Sequence, residues 1–358
     1  MGSYDFLNNW LAFCKEKVFR CGYTSGTQSV PVYLSGANLQ AWDLIEEEVE
    51  IPEPTLKKEE SFPLGTSSRN VGLITEQGYE LVEKDLPIKL QTAIWLYYVL
   101  GTCSTSGTGD PYTHAITEAN TLPSAIIHSQ NSTDMVRDYL GVIVKKVEIV
   151  IEKGEKVKAT VSIMVPKGMD GQELSGSKPT RLDIPIYTWD MINKTNSIFT
   201  YNSANIEGSV AGFFNVCDSI TISIENTIDY IHPLGDENAY IVQYGKRDYS
   251  IKFHYFPTTT NTTLWTLSRT KLTSYATALA FTLDLYQSAN RYIKLTFNNL
   301  YVQEWPTKVV TEEQKVLGVD VTLKVAPAYT GLGGAVAQGT CVIESKDSLT
   351  AAYYETGG

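Results

Sequence analysis

The sequence predicts a mainly β chain of two tandem domains, each a β-barrel or sandwich with a flanking α-helix. Three observations carry that expectation. Strand-length segments alternate apolar with polar residues, as where Tyr249, Ile251, Phe253 and Tyr255 alternate with Ser250, Lys252 and His254; this is the period of a strand with one buried face. The 22 Tyr, with abundant Thr, Ser and Asn, favour strands and turn-rich connections over a helical bundle. Finally, one stretch occurs twice. Pro63-Leu64-Gly65, Tyr79, Pro87, Thr92 and Trp95 return as Pro233-Leu234-Gly235, Tyr249, Pro257, Thr262 and Trp265, all at a constant shift (233 − 63 = 170). These are seven identities in 33 aligned positions, where chance gives about two at a mean residue frequency of ~6%. A duplicated domain is the better reading.

The order of elements repeats outside that window. Upstream, YLSGANL from Tyr33 resembles YNSANI from Tyr201. Downstream, YLGVIVKKV from Tyr139 resembles YIKLTFNNL from Tyr292. The closing strand with Val157, Ala159, Val161, Ile163 and Val165 matches Leu317, Val319, Val321, Leu323 and Val325. This divides the chain into an N-terminal arm (1–25), a first domain (26–168), a linker (169–182), a second domain (183–328) and a C-terminal extension (329–358).

Length and composition fit that division. A chain of 358 residues with 43% apolar content can bury a core in each half. A net charge of −11 argues against a protein that grips nucleic acid through its phosphates, which takes a basic face. Cys14, Cys21, Cys103, Cys217 and Cys341 are odd in number and lack CxxC spacing, the usage of reduced thiols in a protein made in the cytosol. Residues 1–20 carry Asp5, Lys15 and Glu16 and do not form a secretory leader. No apolar run reaches the ~18 residues that cross a bilayer, so the expectation is a soluble protein.

Taken in order, Phe6, Leu7, Trp10, Leu11 and Phe13 fall at near-helical spacing. They suggest a short amphipathic helix, either an arm that reaches a neighbour or a cover for the first core. Strands are expected at 30–34 and 42–51. Residues 52–77 then read as a loop rich in Pro, Lys, Glu, Ser and Gly, with a counterpart at 226–247 of similar length and the same Pro-Leu-Gly. Long irregular segments in compact domains are functional or disordered, and an idle loop has no reason to keep its length and turn chemistry in both copies. Pro87 reads as the opening of a helix along whose face lie Leu90, Ile94, Tyr97 and Leu100, with Gly101 as its stop. A second helix is expected at 264–272. Residues 102–112 read as a Ser/Thr/Gly loop, followed by strands at 124–128, 142–152 and 157–165, the last two joined at Lys153-Gly154-Glu155.

A search for chemistry finds little. His114, His128, His232 and His254 are scattered, with no spacing suited to zinc, and His254 falls on the polar side of its strand. No nucleophile elbow, phosphate loop or kinase signature occurs, and Gly331-Leu332-Gly333-Gly334 lacks the spacing and setting of a dinucleotide loop. The reading is no enzyme, no catalytic residue, no cofactor and no metal.

Residues 87–168 add a resemblance. PIKLQTAIWLYYVLG is followed by PYTHAITEANTLPSAIIHS and then YLGVIVKKVEIVIEKGEKVKATVSIMV; YGKRDYSIKF follows at 244–253. In this order the segments resemble the tail tube (major tail) proteins of long-tailed phages and related head–tailed viruses, over most of residues 60–330. The resemblance implies a tube domain, six of which form a ring that stacks into a hollow tail for DNA. With the domain duplicated, three chains supply six domains, so a trimeric ring with pseudo-sixfold symmetry is expected; a true hexamer with the second domain on the outside is the alternative. The partners implied are the chain itself and the tape measure, terminator and tail-tip proteins, with DNA passing unbound and no membrane. Phe62, Pro63, Leu64, Gly65, Ile231, Pro233, Leu234 and Gly235 become candidate inter-ring contacts, and Glu46, Glu47 and Glu48 candidate acids of the lumen. A baseplate or host-binding protein of a virion, and a carbohydrate-binding or hydrolytic sandwich, stay open beside it. Trp95 and Trp265 are read as core.

Overall fold

Seven consecutive apolar and aromatic residues, Ile94–Leu100, fix the centre of the fold. A helix with no polar face has to be buried all round, and every residue of this one is. The computed structural model describes residues 10–16, 40–41, 56–61, 73–79, 82–130, 136–170, 182–206, 217–231, 241–256, 263–270, 279–305, 318–326 and 340–354. In chain order the first strands are β1 (Trp10–Lys15), β2 (Gln40–Ala41), β3 (Leu56–Ser61), β4 (Leu73–Tyr79) and β5 (Val82–Lys89), followed by helix α1 (Ile94–Leu100). Next come β6 (Gly101–Ser106), β7 (Tyr112–Glu118), β8 (Ala125–Gln130), β9 (Val136–Glu152), β10 (Lys158–Val165) and β11 (Lys167–Asp170). After them lie β12 (Ile198–Tyr201), β13 (Ala204–Asn205), β14 (Cys217–Ile231), β15 (Ile241–Tyr255) and α2 (Thr263–Ser268). The chain ends with β16 (Leu279–Ser288), β17 (Arg291–Phe297), β18 (Leu300–Glu304), β19 (Val319–Val325), β20 (Cys341–Asp347) and α3 (Ala351–Tyr354).

The protein is mainly β, and its strands pair antiparallel in two large sheets and one ribbon. The 11-stranded sheet carries β18-β19-β15-β14-β9-β8-β1-β2, with β10, β5 and β11 branching from it; the seven-stranded sheet runs β13-β12-β16-β17-β20-β7-β6. Neither closes into a barrel among the described residues. Their inner faces meet in one core, where Phe199 lies 6.2 Å from Phe253 and Tyr249 lies 6.1 Å from Phe297. Helix α1 sits between the sheets, against β9 and β14 on one side and β6 and β7 on the other. It is therefore a core element rather than a flanking one.

Several expectations change. Pro87 does not open a helix: it lies inside β5, whose one neighbour among the described residues is β10. An edge strand accommodates a residue without an N–H. The helix starts at Ile94 and stops at Gly101 (φ 114°), as expected of that glycine. Trp10–Lys15 form a strand paired with β8, and Ala12, Phe13 and Cys14 are all buried; a short run buried on both faces cannot be told from a helix by periodicity. Thr102, Ser104 and Ser106 are exposed on β6, not in a loop. The segment expected as a loop at 52–77 holds the β3–β4 ribbon, with Leu56 opposite Tyr79 and Ser61 opposite Leu73. Its counterpart holds the outer part of the β14–β15 hairpin, with Ile231 opposite Ile241. The sequence Lys57-Lys58-Glu59-Glu60-Ser61 shows no apolar alternation for a sequence reading to detect. Within the region read as a C-terminal extension outside the core, β20 sits between β17 and β7, and Tyr353 and Tyr354 are buried. Trp95 is core, but Trp265 is 40% exposed, with the Arg269 guanidinium 4.3 Å over its ring.

Among the described residues no helix is long and apolar enough to cross a membrane. Cys14, Cys217 and Cys341 are free thiols and buried, and burial pushes Cys217 up to about 12. The thiolate is the reactive form, so these three are expected to resist an aromatic disulfide reagent at pH 8 until the chain is unfolded. Mass mapping of the labelled cysteines checks it; labelling of Cys217 in the native state contradicts its placement.

Candidate assembly surface

Strand β9 connects the parts of the long sheet. It bends at Gly141 (φ 71°), where the Gly141 N–H donates to Glu16 Oε1 at 3.0 Å. Up to Val142 it pairs with β8 and β11; from Ile143 on, with β10 and β14. The β9–β14 ladder runs from Ser219 opposite Glu152 to Glu225 opposite Lys146. Its apolar residues, Val147, Ile149 and Ile151 with Ile220, Ile222 and Ile224, face the core. The result is a continuous run, β18-β19-β15-β14-β9-β10-β5, with β18 and β5 at its ends.

The other face of this run is polar along its middle, and at the β9–β10 end it carries a small buried apolar patch of Ile143 and Met164 with Ile228 and Leu122. Lys146 lies between Ser162 and Glu225, and Glu148 between Thr160 and Ser223. Three pairs of opposite sign lie along this face, Lys146 with Glu148 at 2.6 Å, Lys145 with Glu83 at 2.9 Å, and His254 with Asp320 at 2.7 Å, and Glu225, Lys252 and Lys324 add further charge of both signs. The charges of this face are therefore of both signs rather than an acidic stripe. Exposed pairs of this kind add little stability.

Where β7, α1 and the β14–β15 hairpin meet, the end of α1 is held by groups far away in sequence. Asn226 Nδ2 donates to Val99 O at 3.0 Å. Arg247 donates through Nε to Asn226 Oδ1 at 2.7 Å and through Nη2 to Leu100 O at 3.1 Å and Ala119 O at 3.0 Å. A cation here both satisfies the last carbonyls and suits the helix dipole. Beside it Glu118 Oε1 accepts from the Tyr249 hydroxyl at 2.5 Å and from Cys341 N at 2.9 Å. Burial above all raises the Tyr249 phenol well beyond the usual tyrosine range. These residues line an open cleft of about 970 Å³ with Tyr301 and Lys324. Arg247→Met is expected to lose about 2 kcal/mol, since three acceptors lose a charged donor. Urea unfolding checks this, and an unchanged midpoint contradicts it.

Of the predicted contact residues, Ile231 ends β14 and is 37% exposed. Phe62, Pro63, Leu64, Gly65, Pro233, Leu234 and Gly235 lie outside the described residues, as do Glu46, Glu47 and Glu48. The two Pro-Leu-Gly segments nonetheless fall in corresponding places, between β3 and β4 and between β14 and β15.

Sequence reasoning missed the partners of the histidines. His114 Nε2 meets Asp347 Oδ1 at 3.2 Å and its Nδ1 meets Thr105 Oγ1 at 2.9 Å; His128 Nδ1 meets Asp138 Oδ1 at 2.6 Å. The His114 ring is fully buried and stacked on Tyr354 at 3.9 Å, which makes it a fastener for the C-terminal segment. In sequence 233 positions separate His114 from Asp347, so no local signal marks the pair. No cluster of three or more His, Cys, Asp or Glu able to hold a metal ion occurs among the described residues. Comparison with protein-family models gives no match, and comparison with curated proteins gives none.

Proposed function

We propose that the chain is a structural virion protein whose copies form stacked rings, making a hollow tail tube through which DNA passes without specific binding. The ring in this reading is a trimer with pseudo-sixfold symmetry, and the chain has no catalytic role. The observation that carries it is the β9–β14 ladder, an edge-to-edge joint between the two parts of one chain.

Topology supports a duplicated unit on either side of that joint. The strand before each helix, β5 before α1 and β15 before α2, pairs antiparallel with a closing strand, β10 or β19. Each closing strand then pairs with the strand before it, β9 or β18. In the ribbon Leu56 faces Tyr79, and in the long hairpin Ile224 faces Tyr249, so each repeated tyrosine pairs with an aliphatic residue of the strand before it, with a register that differs by two residues. One of the sequence matches does not fit: Tyr292 begins the part of β17 in the seven-stranded sheet, whereas Tyr139 lies in β9 of the other sheet. By topology the counterpart of β9 is β18.

That equivalence gives the ring its logic. Where β9 receives β14 within the chain, β18 offers the same kind of edge to the first unit of the next copy. Such a heterologous joint closes after three chains, and pairing removes edges that otherwise invite uncontrolled association. The polar face of the continuous sheet then forms the channel wall, where balanced charge lets a polyanion slide past. The two ribbons, with their Pro-Leu-Gly segments, extend to the neighbouring ring. Tape measure, terminator and tail-tip proteins are the partners that such a tube needs.

A second reading, a tail-tip or host-binding protein, is favoured by an outward pair of tyrosines: Tyr286, 36% exposed, stacks on Tyr292 with centroids 6.5 Å apart. Negative-stain microscopy over a concentration series separates the two. Hollow filaments whose end-on views show three chains and six lobes are expected. Single closed rings that never stack favour the tail-tip reading, and a strict monomer at high concentration removes both.

A further inference from the structure

We propose that in the assembled protein β20 and α3 of one copy fill the slot between β7 and β17 of the adjoining copy. The inference rests on the ring-and-tube reading and specifies how neighbouring copies are fastened.

The argument starts from what β20 joins. Its Ile343 lies opposite Leu295 of β17 on one side and Ile116 of β7 on the other, antiparallel to both. Among the described residues nothing else connects β17 to β7 in the strand order of that sheet. Without β20 the sheet falls into two pieces whose edges carry buried apolar residues, so the slot has to be filled by some copy of this strand.

The slot is chemically selective. Asp347 Oδ1 accepts from Leu349 N at 2.8 Å and meets His114, while Asp347 Oδ2 accepts from the Tyr354 hydroxyl at 3.0 Å. The Tyr354 oxygen in turn accepts from Ala93 N at 3.3 Å. The matching groups on the slot side, His114, Thr105, Ala93 and Glu118, belong to the first part of the chain. All of these contacts are the same whichever copy supplies the strand, so an exchange loses none of them.

The connection to the strand is far longer than its task. Ala326 N donates to Asn299 O at 2.8 Å, and Asn298 N donates to Thr340 O at 3.0 Å. Residues 326 and 340 thus sit against two adjacent residues. Joining them takes residues 327–339, thirteen in all, with Gly331, Gly333, Gly334 and Gly339 among them. At its extended limit a connector of that length reaches ~45 Å, enough to place β20 in a neighbour.

The test uses the full chain with Ala115→Cys and Glu344→Cys. The two positions are register partners on β7 and β20, and both are exposed. Opposed residues of an antiparallel pair lie ~4.5–5.5 Å apart, within disulfide range. The double variant is oxidised once as dilute monomer and once after assembly, with microscopy of the same sample, and run on non-reducing gels beside the two single-cysteine variants. The expected result is a within-chain bond in the monomer and covalently linked chains in most of the assembled material. Assemblies that yield only within-chain bonds overturn the exchange and leave the tube reading standing. Failure to assemble at any concentration overturns both.

Discussion

Gly101→Ala is expected to cost about 3–5 kcal/mol, the largest single loss of stability among the glycines whose surroundings are described. Two separate costs meet at this position. Its φ of +114° is one that a residue with a side chain adopts only under strain, at ~1–3 kcal/mol. A Cβ there also falls 2.7 Å from Ala119 Cβ and 2.8 Å from Thr121 O, and neither neighbour is the far end of a flexible side chain. Relieving that overlap displaces backbone, which costs another ~1–3 kcal/mol. The site cannot relax freely, because Gly101 N–H donates to Tyr97 O as the helix stop and the residue then begins β6 opposite Glu118. Against a total stability of ~5–15 kcal/mol the loss is large enough to read in any urea titration. Gly109→Ala is the control: nothing lies within 4 Å of a Cβ there, and a change under ~0.5 kcal/mol is expected. Equal midpoints for the two variants contradict the packing around the end of α1.

How much of this was legible in the sequence depends on how local the cause was. The β9–β10 hairpin is written into adjacent residues: Lys153-Gly154-Glu155 between alternating strands, with Gly154 at φ 85°. Ile220, Ile222 and Ile224 give away their strand in the same way. Gly101 as a helix stop is equally local. The misreadings came where tertiary context overrode a local rule. Pro87 is a helix starter by propensity, but only the topology shows that it lies on an edge strand. Phe13 is helix-compatible by spacing, yet it is buried in a sheet with its ring 4.9 Å from Trp95. The Thr/Ser run at 102–106 has Cys103 as its one apolar residue because its outward face is wet, and a half-exposed strand then resembles a loop.

The candidate surface divides along the same line. The repeat at a shift of 170 was visible, and it points to the paired ribbons. What joins the two parts was not: the β9–β14 ladder depends on two edges meeting, and each edge by itself is an ordinary alternating strand. The C-terminal strand was hidden for a related reason. Cys341 to Asp347 alternate buried and exposed positions, but the Gly- and Ala-rich residues before them gave the region the composition of a tail. Arg247 carries no local sign of its role, since its acceptors at Leu100 and Ala119 lie 147 and 128 positions away.

Gln303→Pro is expected to raise the concentration needed for assembly at least tenfold while leaving the chain folded, and so to separate the edge joint from the stability of the unit. Gln303 is exposed on β18, the last strand of the continuous run, and it falls at the irregularity between Val302 and Glu304 where the register with β19 shifts. A bulge on an edge strand is one of the few places in a sheet that accept proline, so a thermal midpoint within a few degrees of the parent is expected. At the open edge the same ring removes an N–H and blocks close approach of a second strand. Losing one or two ladder bonds at ~1 kcal/mol each weakens every joint around a ring by about tenfold, since 1.4 kcal/mol is a factor of ten. A tube repeats that joint in every ring, so the concentration needed for filaments should rise by at least that factor. Gln303→Ser, which keeps the N–H, should assemble like the parent. If the proline variant forms filaments at the parental concentration, β18 is not the joining edge, and the equivalence of β18 with β9 fails with it. If it unfolds, the strand contributes to the core in a way that its exposed position does not suggest, and the joint must then be tested by charge reversal at Glu304, where side-chain repulsion acts without touching the backbone.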